Sequence, residues 1–450
     1  MDGRQISCIL TAGSMRKINN MSIDNIGWVT KNELCCGCGT CAAVCREDAI
    51  EMVIDHKRGI YTAFIDNNKC NLCGVCVNVC PGYAVDFGLL NQSFFGAPSM
   101  DKQIGFYQEI CLAHAADHEI RYTSSSGGIV TAMLLHALEM GIIDGALVTA
   151  MCEDTPLVPR SIIARTPQEI KMASKSKYCP VAANLAIKEI INSQPDKKFA
   201  VVGLPCHMHG LRKAELIDSA LRERIVFHLG LFCEYTPAFL ATEFLLLHNS
   251  IVPGNVQNIE YRGGGWPGPI MIKTKDGHQI TRSYQDTWSI WKRGFFPKRC
   301  LVCFDKANEL SDISFADPWG ITNDSIGSSL LVVRNKAAGN ILMDMVKRGR
   351  IHIDGPLDRL SINSGQGNFS KKSFSEAMIR LRKFNKEYAP VYRGIDREKP
   401  SIKDVFKAWR LEAMTSVLRQ RRLWPFISFS IPIAMRILKF SRIMRKAVSG

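Results

Sequence analysis

A tandem cysteine repeat near the start of the chain constrains its fold more than any other feature of the sequence. Within residues 31–88 the spacing C-x2-C-x2-C-x3-C occurs twice, and Pro81 follows the second copy. The eight cysteines of the repeat are Cys35, Cys38, Cys41, Cys45, Cys70, Cys73, Cys76 and Cys80. Copies this short cannot bury a hydrophobic core by themselves, so another group must organise them.

The spacing of the repeat is that of bacterial ferredoxins, in which the fourth cysteine of each run ligates the other cluster. We therefore predict two 4Fe-4S clusters. One is held by Cys35, Cys38, Cys41 and Cys80, and the other by Cys70, Cys73, Cys76 and Cys45. The alternative is a pair of structural zinc sites, but zinc usually takes two separated cysteine pairs. Three cysteines in each seven-residue loop favour the clusters, and Cys36 falls out of register.

The cysteine content also bears on the compartment. The chain has 17 cysteines, an odd number that cannot pair completely within one chain. Residues 1–20 lack the basic and then apolar pattern of a secretory signal. We therefore expect a cytoplasmic, reducing compartment, where spaced cysteines more often bind metal or do redox chemistry than form disulfides.

The chain after the repeat has the pattern of an α/β domain. Residues 129–140 are apolar at helical spacing, and residues 199–203 and 225–231 have the apolar runs of buried strands. These patterns predict an α/β (α+β) catalytic domain with a mixed sheet over 105–345, preceded by a small two-cluster ferredoxin-like domain over 31–88. Residues 1–30 are assigned as a leader, and 346–402 as an extension without a clear pattern.

The basic charge of the chain is concentrated in its last segment. Residues 403–450 hold eleven Lys and Arg but two acidic residues, whereas the whole chain has a net charge of +15. This distribution does not mark the protein as a nucleic-acid binder. Residues 434–446 have the pattern of an amphipathic basic helix. Such a tail predicts a peripheral contact with the inner membrane surface or with a partner; the alternative is a docked helix that covers apolar surface.

Four later cysteines are candidates for a third site. Cys206 and Cys233 follow two predicted strands, and Cys300 and Cys303 form a CxxC pair. Strand ends of open α/β sheets are where sites are built. Spacing alone leaves two interpretations open, a third four-thiolate site or scattered buried cysteines beside an exposed CxxC.

Two short segments are candidates for binding an anionic cofactor. Ser125, Ser126, Gly127 and Gly128 precede the predicted helix, where free amide groups bind phosphate; the alternative is a simple helix cap. A second segment, with Lys175, Lys177 and Tyr178, offers charge and a stacking ring, or is a solvated loop. The sequence contains no GxGxxG after a strand, no Walker loop and no HExxH motif, and so does not support a Rossmann or P-loop enzyme.

Taken together, these motifs resemble those of the coenzyme F-420 hydrogenase/dehydrogenase beta subunit family over about residues 31–335. The resemblance rests on the cysteine repeat and on six further segments, namely 125–128, 175–178, 203–206, 261–268, 299–303 and 316–320. It implies FAD, a further 4Fe-4S cluster and reversible conversion between a hydride and single electrons. It also implies that Cys206, Cys233, Cys300 and Cys303 bind that cluster, and that Ser126, Gly127, Gly128 and Lys177 contact FAD.

The chain departs from the family pattern in places. His207 stands where the family often has Gln, Cys179 follows the Lys-Ser-x-Tyr motif, and the basic tail lies outside the common core. We expect an iron–sulfur flavoprotein oxidoreductase that passes electrons between its clusters and FAD. Its substrate is the deazaflavin coenzyme or another organic molecule, and its redox partner is a protein or a small molecule. The alternative is a non-catalytic adaptor that supplies electrons to a partner enzyme.

Overall fold

The computed structural model describes residues 17–18, 21–97, 101–366 and 371–430, with short strands and helices in the ferredoxin-like region and a large sheet after it. The strands are β1 (Lys17–Ile18), β2 (Met21–Ser22), β3 (Ile50–Asp55), β4 (Ile60–Ile65), β5 (Ala84–Asp86), β6 (Glu109–Ala115), β7 (Gly145–Ala150), β8 (Arg160–Ala164), β9 (Phe199–Gly203), β10 (Ile225–Leu231), β11 (Val256–Glu260), β12 (Pro269–Thr274), β13 (Gln279–Ser283), β14 (Ile313–Ala316), β15 (Ser329–Val333), β16 (Ile351–Pro356) and β17 (Val391–Arg393).

The α-helices are Gly27–Lys31, Thr40–Ala43, Val75–Asn78, Phe87–Phe95, His118–Thr123, Ile129–Glu139, Pro167–Met172, Ile187–Ile191, Pro205–Ile217, Ser219–Arg224, Phe239–His248, Tyr284–Trp291, Lys298–Leu301, Lys336–Lys347, Arg359–Gly365, Lys371–Phe384 and Ile402–Leu418. Short 3-10 helices span Ala183–Ala186, Pro253–Asn255 and Arg421–Leu423.

An eight-stranded mixed sheet forms the centre of the fold, in the order β16-β6-β15-β14-β10-β9-β7-β8. The four strands β7, β9, β10 and β14 run parallel, and antiparallel strands flank them on both sides. Apolar side chains of the sheet pack against the helix Ile129–Glu139 in a continuous core. The sequence prediction of an α/β domain with a mixed sheet after a ferredoxin-like region is therefore confirmed.

The parallel strands bring several polar and sulfur-bearing residues to one edge of the sheet. Gly203 at the end of β9 is in register with Gly230 near the end of β10. Cys206 therefore follows one strand end and Cys233 the neighbouring one. Because carboxyl ends of parallel strands share an edge, this is where a site is expected in an open α/β sheet.

The ferredoxin-like region packs directly against the sheet domain. Its hairpin β3–β4 and the two short helices Thr40–Ala43 and Val75–Asn78 enclose a small core of their own. The amide of Asn184 donates to the carbonyl of Cys38 at 2.9 Å. A Cβ added to Gly210 would lie 2.2 Å from Thr40 Oγ1, so the helix Pro205–Ile217 lies tightly against the first cysteine loop. The two regions thus share a close interface at the cysteines.

Several local predictions agree with the structure, and some of the unassigned chain has a definite fold. The predicted helix over 129–140 ends one residue earlier, at Glu139, where Met140 caps it. Within the unassigned 346–402, β16 forms an edge of the main sheet and β17 pairs with β5. The predicted amphipathic helix over 434–446 lies outside the described residues. Among the residues that the structure does describe, no helix is long and apolar enough to cross a membrane.

Candidate iron–sulfur and flavin sites

The first cysteine set, comprising Cys35, Cys38, Cys41 and Cys80, lies in the interior between the two regions. All four residues are buried and none forms a disulfide. Burial, together with the neighbouring thiolates of Cys38 and Cys35, raises the pKa of Cys80 to about 12. Burial also raises the pKa of Cys41, as do Cys38, Cys35 and Cys80. The fold thus places the last cysteine of the repeat beside the first loop.

The backbone of this loop suits a metal cluster. The amide of Gly37 donates to the Sγ of Cys35 at 3.4 Å, the kind of contact that stabilises a thiolate. Gly37 and Gly39 have φ of 69° and 88°, left-handed values that glycine adopts without strain. The residues around the loop therefore fit a thiolate-ligated cluster.

The second cysteine set, comprising Cys70, Cys73, Cys76 and Cys45, lies nearer the surface. Cys73 is exposed, Cys70 and Cys45 are half-buried, and Cys76 is buried. Burial raises the pKa of Cys76 to about 11, with the charges of Cys73 and Cys70 adding to the effect. Asn71 Nδ2 donates to Glu47 Oε1 at 3.1 Å, which links the second loop to the segment after Cys45. The two sets thus differ in depth although their spacing is the same.

The third cysteine set, comprising Cys206, Cys233, Cys300 and Cys303, is assembled by hydrogen bonds across the edge of the sheet. Asn308 Nδ2 donates to the carbonyls of Gly203 at 2.9 Å and Leu231 at 3.1 Å, so it joins the ends of β9 and β10. The amide of Cys233 donates to the carbonyl of Lys306 at 2.9 Å. These bonds bring the segment after the CxxC pair against both strand ends.

A buried side-chain pair adds a further link to this set. His209 Nε2 lies 2.8 Å from Asp305 Oδ2, and both residues are buried. Burial lowers the pKa of His209 despite the carboxylate, so the neutral ring donates from Nε2. His209 stands one helical turn after Cys206, and Asp305 two residues after Cys303. The pair therefore fixes the Cys206 helix against the CxxC segment.

The third set lies beside the first. Burial raises the pKa of Cys206, and the charges of Cys36 and Cys38, then of Cys233 and Cys300, raise it further. Cys36 thus lies between the two sets. Three segments far apart in the sequence converge here on four thiols, a donor set that suits an iron–sulfur cluster. Within the described ranges, no three His, Cys, Asp or Glu side chains are placed to hold a single metal ion.

A buried ion network supports the strands that lead to the third set. Arg212 pairs with Asp312 at 2.9 Å and with Glu215 at 3.1 Å. His228 on β10 contacts Glu215 through Nε2 at 2.6 Å and Asp312 through Nδ1 at 2.9 Å. Burial and Arg212 act to lower the pKa of His228, but the two carboxylates outweigh them and raise it. The network therefore ties the Cys206 helix to the strand that leads to Cys233.

The candidate flavin residues are brought together around one arginine. The guanidinium of Arg262 donates to the carbonyl of Ser125, to Tyr178 OH at 3.0 Å and to Asp317 at 3.1 Å. Ser125 Oγ in turn accepts from the amide of Ser176 at 2.7 Å. Arg262 belongs to segment 261–268, one of those on which the family resemblance rests, but it was not among the candidate site residues named from the sequence.

The serine–glycine turn of residues 125–128 packs closely against the backbone of neighbouring segments of the protein. A Cβ added to Gly127 would lie 2.7 Å from the Ala113 carbonyl, and Gly128 caps the helix Ile129–Glu139 with φ of 76°. Ser126 Oγ donates to the Ser328 carbonyl at 2.6 Å. The start of this helix and the nearby rings of Tyr178 and Tyr284 match the phosphates and the ring system of a flavin in chemical type.

The two candidate lysines have different environments. Lys177 Nζ donates to the carbonyls of Ala173 and Ser174, both at 2.5 Å, and burial lowers its pKa to about 7. Lys175 Nζ is partly exposed and pairs with Glu260 at 2.8 Å. The ammonium of Lys177 is thus engaged in its own loop, whereas that of Lys175 lies at the surface of the candidate site.

His207 and Cys179, at which the sequence departs from the family pattern, are both buried among other residues of the protein. His207 Nδ1 accepts from the amide of Leu204 at 3.1 Å, and burial lowers its pKa to about 4. Cys179 is buried beside Tyr261 and Lys177, and burial raises its pKa to about 12. Cys111, which belongs to none of the three cysteine sets, lies in the core of the main sheet.

An apolar cavity of about 720 Å³ lies outside these sites, where the β3–β4 hairpin meets the sheet domain and the C-terminal helices. Ile54, Leu157, Phe239, Leu247 and Trp424 contribute to its walls. Sequence reasoning missed this cavity because its lining comes from separate segments with no motif.

These sites define a class of protein, an iron–sulfur electron-transfer protein in which a ferredoxin-type module adjoins an α/β sheet domain. Comparisons with known proteins agree with this class. Residues 34–84 match the 4Fe-4S dicluster domain. Residues 110–188 match the N-terminal part and residues 196–358 the C-terminal part of the coenzyme F420 hydrogenase/dehydrogenase beta subunit.

Relatives in archaea extend this match. The chain is 30% identical over 253 residues to the coenzyme F420 hydrogenase subunit beta of Methanosarcina barkeri. This match covers 55% of this chain and 82% of the relative. It is 28% identical over 366 residues to a coenzyme F420-dependent sulfite reductase of Methanocaldococcus jannaschii, covering 74% of this chain and 53% of that protein. The chain therefore belongs to the coenzyme F420 hydrogenase/dehydrogenase beta subunit family.

A solved structure shows the same fold. A chain of the F420-reducing [NiFe] hydrogenase complex from Methanosarcina barkeri superposes with a TM-score of 0.50 and 26% sequence identity. The match covers 66% of this chain and 98% of the other chain.

Proposed function

We propose that the protein is an iron–sulfur flavoprotein oxidoreductase that exchanges electrons with a redox partner and a hydride with coenzyme F420 or another organic substrate. When bound, the clusters would supply one-electron transfer and FAD the conversion between single electrons and a hydride. The proposal assigns two clusters to the eight cysteines of the repeat and a third to the third cysteine set.

The convergence of the third cysteine set beside the first carries this proposal. The charges of Cys36 and Cys38 from the first loop and of Cys233 and Cys300 from the third set all act on Cys206. The buried links through Asn308 and His209 hold these thiols at the edge of the sheet. A series of thiolate sites thus leads from the ferredoxin-like region into the sheet domain, which favours an enzyme over an adaptor.

The flavin would occupy the region around the Ser126–Gly128 turn and Arg262. No side-chain hydrogen bond caps the helix that follows this turn, so its first amide groups can bind a phosphate. Lys175 would add a positive charge, and Lys177 would shape the loop beside it. Tyr178 would present its ring, oriented by its hydroxyl contact with Arg262.

The second cysteine set would face the electron donor or acceptor. Cys73 is exposed, so a partner protein can approach this set closely. A relative of this chain is part of a hydrogenase complex. We infer that this protein likewise works with a redox partner that docks near the second set.

Anaerobic purification followed by cofactor analysis tests this proposal. About twelve irons, as many sulfides and one FAD per chain are expected for three clusters and one flavin. Adding reduced coenzyme F420 should bleach the flavin absorbance and then produce the paramagnetic signals of reduced clusters. Protein with about eight irons and no flavin would reject the enzyme in favour of the adaptor. Protein with full cofactors that ignores F420 would require another organic substrate.

A further inference from the structure

Arg299 is a buried cation without a carboxylate partner. Its side chain is 3% exposed, yet among the described residues no Asp or Glu oxygen lies within 4.0 Å of its nitrogens. Its guanidinium donates from Nη2 to the carbonyl of Pro81 at 2.8 Å, while its Nε is buried without an acceptor. A buried guanidinium requires compensation, since transfer of a charge from water to the interior is costly.

Other buried arginines of the sheet domain are compensated by protein oxygens. Arg212 has Asp312 and Glu215, and Arg262 has Asp317. Arg334 lacks a carboxylate at that distance but donates to Ser314 Oγ and to several backbone carbonyls. Arg299 has fewer oxygen partners than these arginines: its guanidinium donates to one carbonyl and interacts with the hydroxyl and the ring of Tyr392, the ring lying 5.7 Å away.

The position of Arg299 indicates what compensates it. Pro81 directly follows Cys80 of the first set, and Arg299 directly precedes Cys300 of the third set. Arg299 Nη2 donates to the Pro81 carbonyl, so its side chain joins the segment after Cys80 to the segment that begins the CxxC pair. The side chain therefore lies where the two cysteine sets meet.

We propose that Arg299 is a positioning residue whose fixed positive charge is shared by the first and third cysteine sets. The charge favours the reduced, more negative state of the clusters bound there, and it holds the Cys80–Pro81 segment against the CxxC segment. This inference rests on the proposed function, since it requires a cluster at the third set. Reduction by one electron adds one negative charge to a cluster, and the permanent charge of Arg299 offsets it without proton uptake.

Redox titration of the anaerobic full-length protein, followed by electron paramagnetic resonance, tests the inference. Arg299→Gln and Arg299→Met remove the charge, and methionine leaves no unsatisfied donor in the buried site. Signals are assigned to each set with Cys73→Ser and Cys233→Ser variants, and dithionite is the reductant. We expect the equilibrium constant for reduction of the first-set or third-set cluster to fall about tenfold, or about 59 mV for one electron. The second-set cluster should keep its potential.

Two control variants separate charge from structure. Arg299→Lys keeps the charge and should leave both potentials within about threefold in equilibrium constant, or about 28 mV. Lys298→Gln removes a charge one residue away, where the Lys298 ammonium is partly exposed beside Glu412, so its shift should be smaller than that of the Arg299 variants because water screens it.

The outcomes distinguish the inference from the proposed function. Arg299→Met protein with full iron content and unchanged potentials would overturn the role of Arg299. Loss of iron from the first and third sets in the Gln and Met variants but not in the Lys variant would support it, because assembly then needs the charge. Equal loss in the Lys variant would overturn it in favour of a purely steric role. Absence of a third-set signal in the unmodified protein would instead refute the third cluster.

Discussion

The two cysteine loops have the same spacing but opposite surroundings. The first set is buried between the ferredoxin-like region and the sheet domain, whereas the second set includes the exposed Cys73. The first loop is held by Asn184, Gly210 and the Cys206 helix, and the second by surface contacts such as that of Asn71 with Glu47. Motifs with the same spacing can thus differ in depth, because the packing around them decides which loop is buried and which is exposed.

Serine substitutions in the two loops should have the largest effects, and they test whether the two cysteine sets differ in depth. Cys80→Ser and Cys73→Ser should each remove about four irons per chain, since each takes one ligand from a different cluster. Cys80→Ser should also reduce the yield of folded protein, because its polar hydroxyl replaces a ligand inside the interface. Iron and sulfide analysis and size-exclusion chromatography measure both effects.

Cys152→Ser is the matched control, because Cys152 is half-buried and outside all three sets. It should keep full iron content. Equal folding yields for the Cys80 and Cys73 variants would contradict the difference in depth.

The buried ion network should matter for the inner sets and not for the outer one. His228→Gln leaves Glu215 and Asp312 short of a cation, so the free energy of unfolding should fall by about 3 kcal/mol. Anaerobic denaturant unfolding measures this loss. Iron at the second set should remain, and loss of second-set iron before first-set or third-set iron would contradict the assignment.

The same network predicts a pH dependence. The pKa of His228 is raised by its two carboxylates, so its stabilising contribution is present below about pH 6.5 and is lost as the pH rises through its folded pKa. Arg212 and His228 hold the pKa of Asp312 well below its usual range against burial, so that contribution is lost in acid. His228→Gln should therefore flatten the alkaline side of the stability profile. An unchanged profile would contradict this origin.

Gly210 tests the contact between the Cys206 helix and the first loop. Gly210→Ala places a methyl group against Thr40 Oγ1, and such overpacking should cost about 1–3 kcal/mol of unfolding free energy. Gly254→Ala is the control, because nothing lies within 4 Å of its added Cβ. Thermal unfolding of the two variants measures the difference. Equal melting temperatures would contradict the prediction, because the interface would then accommodate the added methyl group without cost.

The smallest effect is expected at an exposed ion pair near the second set. Lys188 pairs with Asp48, and both side chains are well exposed. Lys188→Ala should change the free energy of unfolding by less than about 1 kcal/mol, because water screens such pairs. A double-mutant cycle with Asp48→Asn measures the coupling, and a larger value would mean that this surface is more rigid than its exposure indicates.

The sequence alone predicted local elements of this fold but not the contacts between residues far apart in the chain. The cysteine spacing predicted the loops, and apolar periodicity predicted the helix beginning at Ile129 and the strands β9 and β10. The third set depends on Asn308, which links the ends of β9 and β10 from a distant segment. No local pattern marks such a residue.

The other omissions have similar causes. The edge strand β16 alternates with exposed polar residues in a short, weak pattern, so its pairing with β6 becomes visible only in three dimensions. Arg262 and Arg299 lie in segments that carry the family resemblance, but the sequence did not show their burial or the partners they have or lack.

Mössbauer spectroscopy of protein enriched in ⁵⁷Fe, combined with iron and sulfide analysis, tests the central claim most directly. Three cysteine sets predict about twelve irons per chain, all in cubane clusters, with a matching amount of sulfide. Zinc in place of iron, without sulfide, would contradict the account at its foundation.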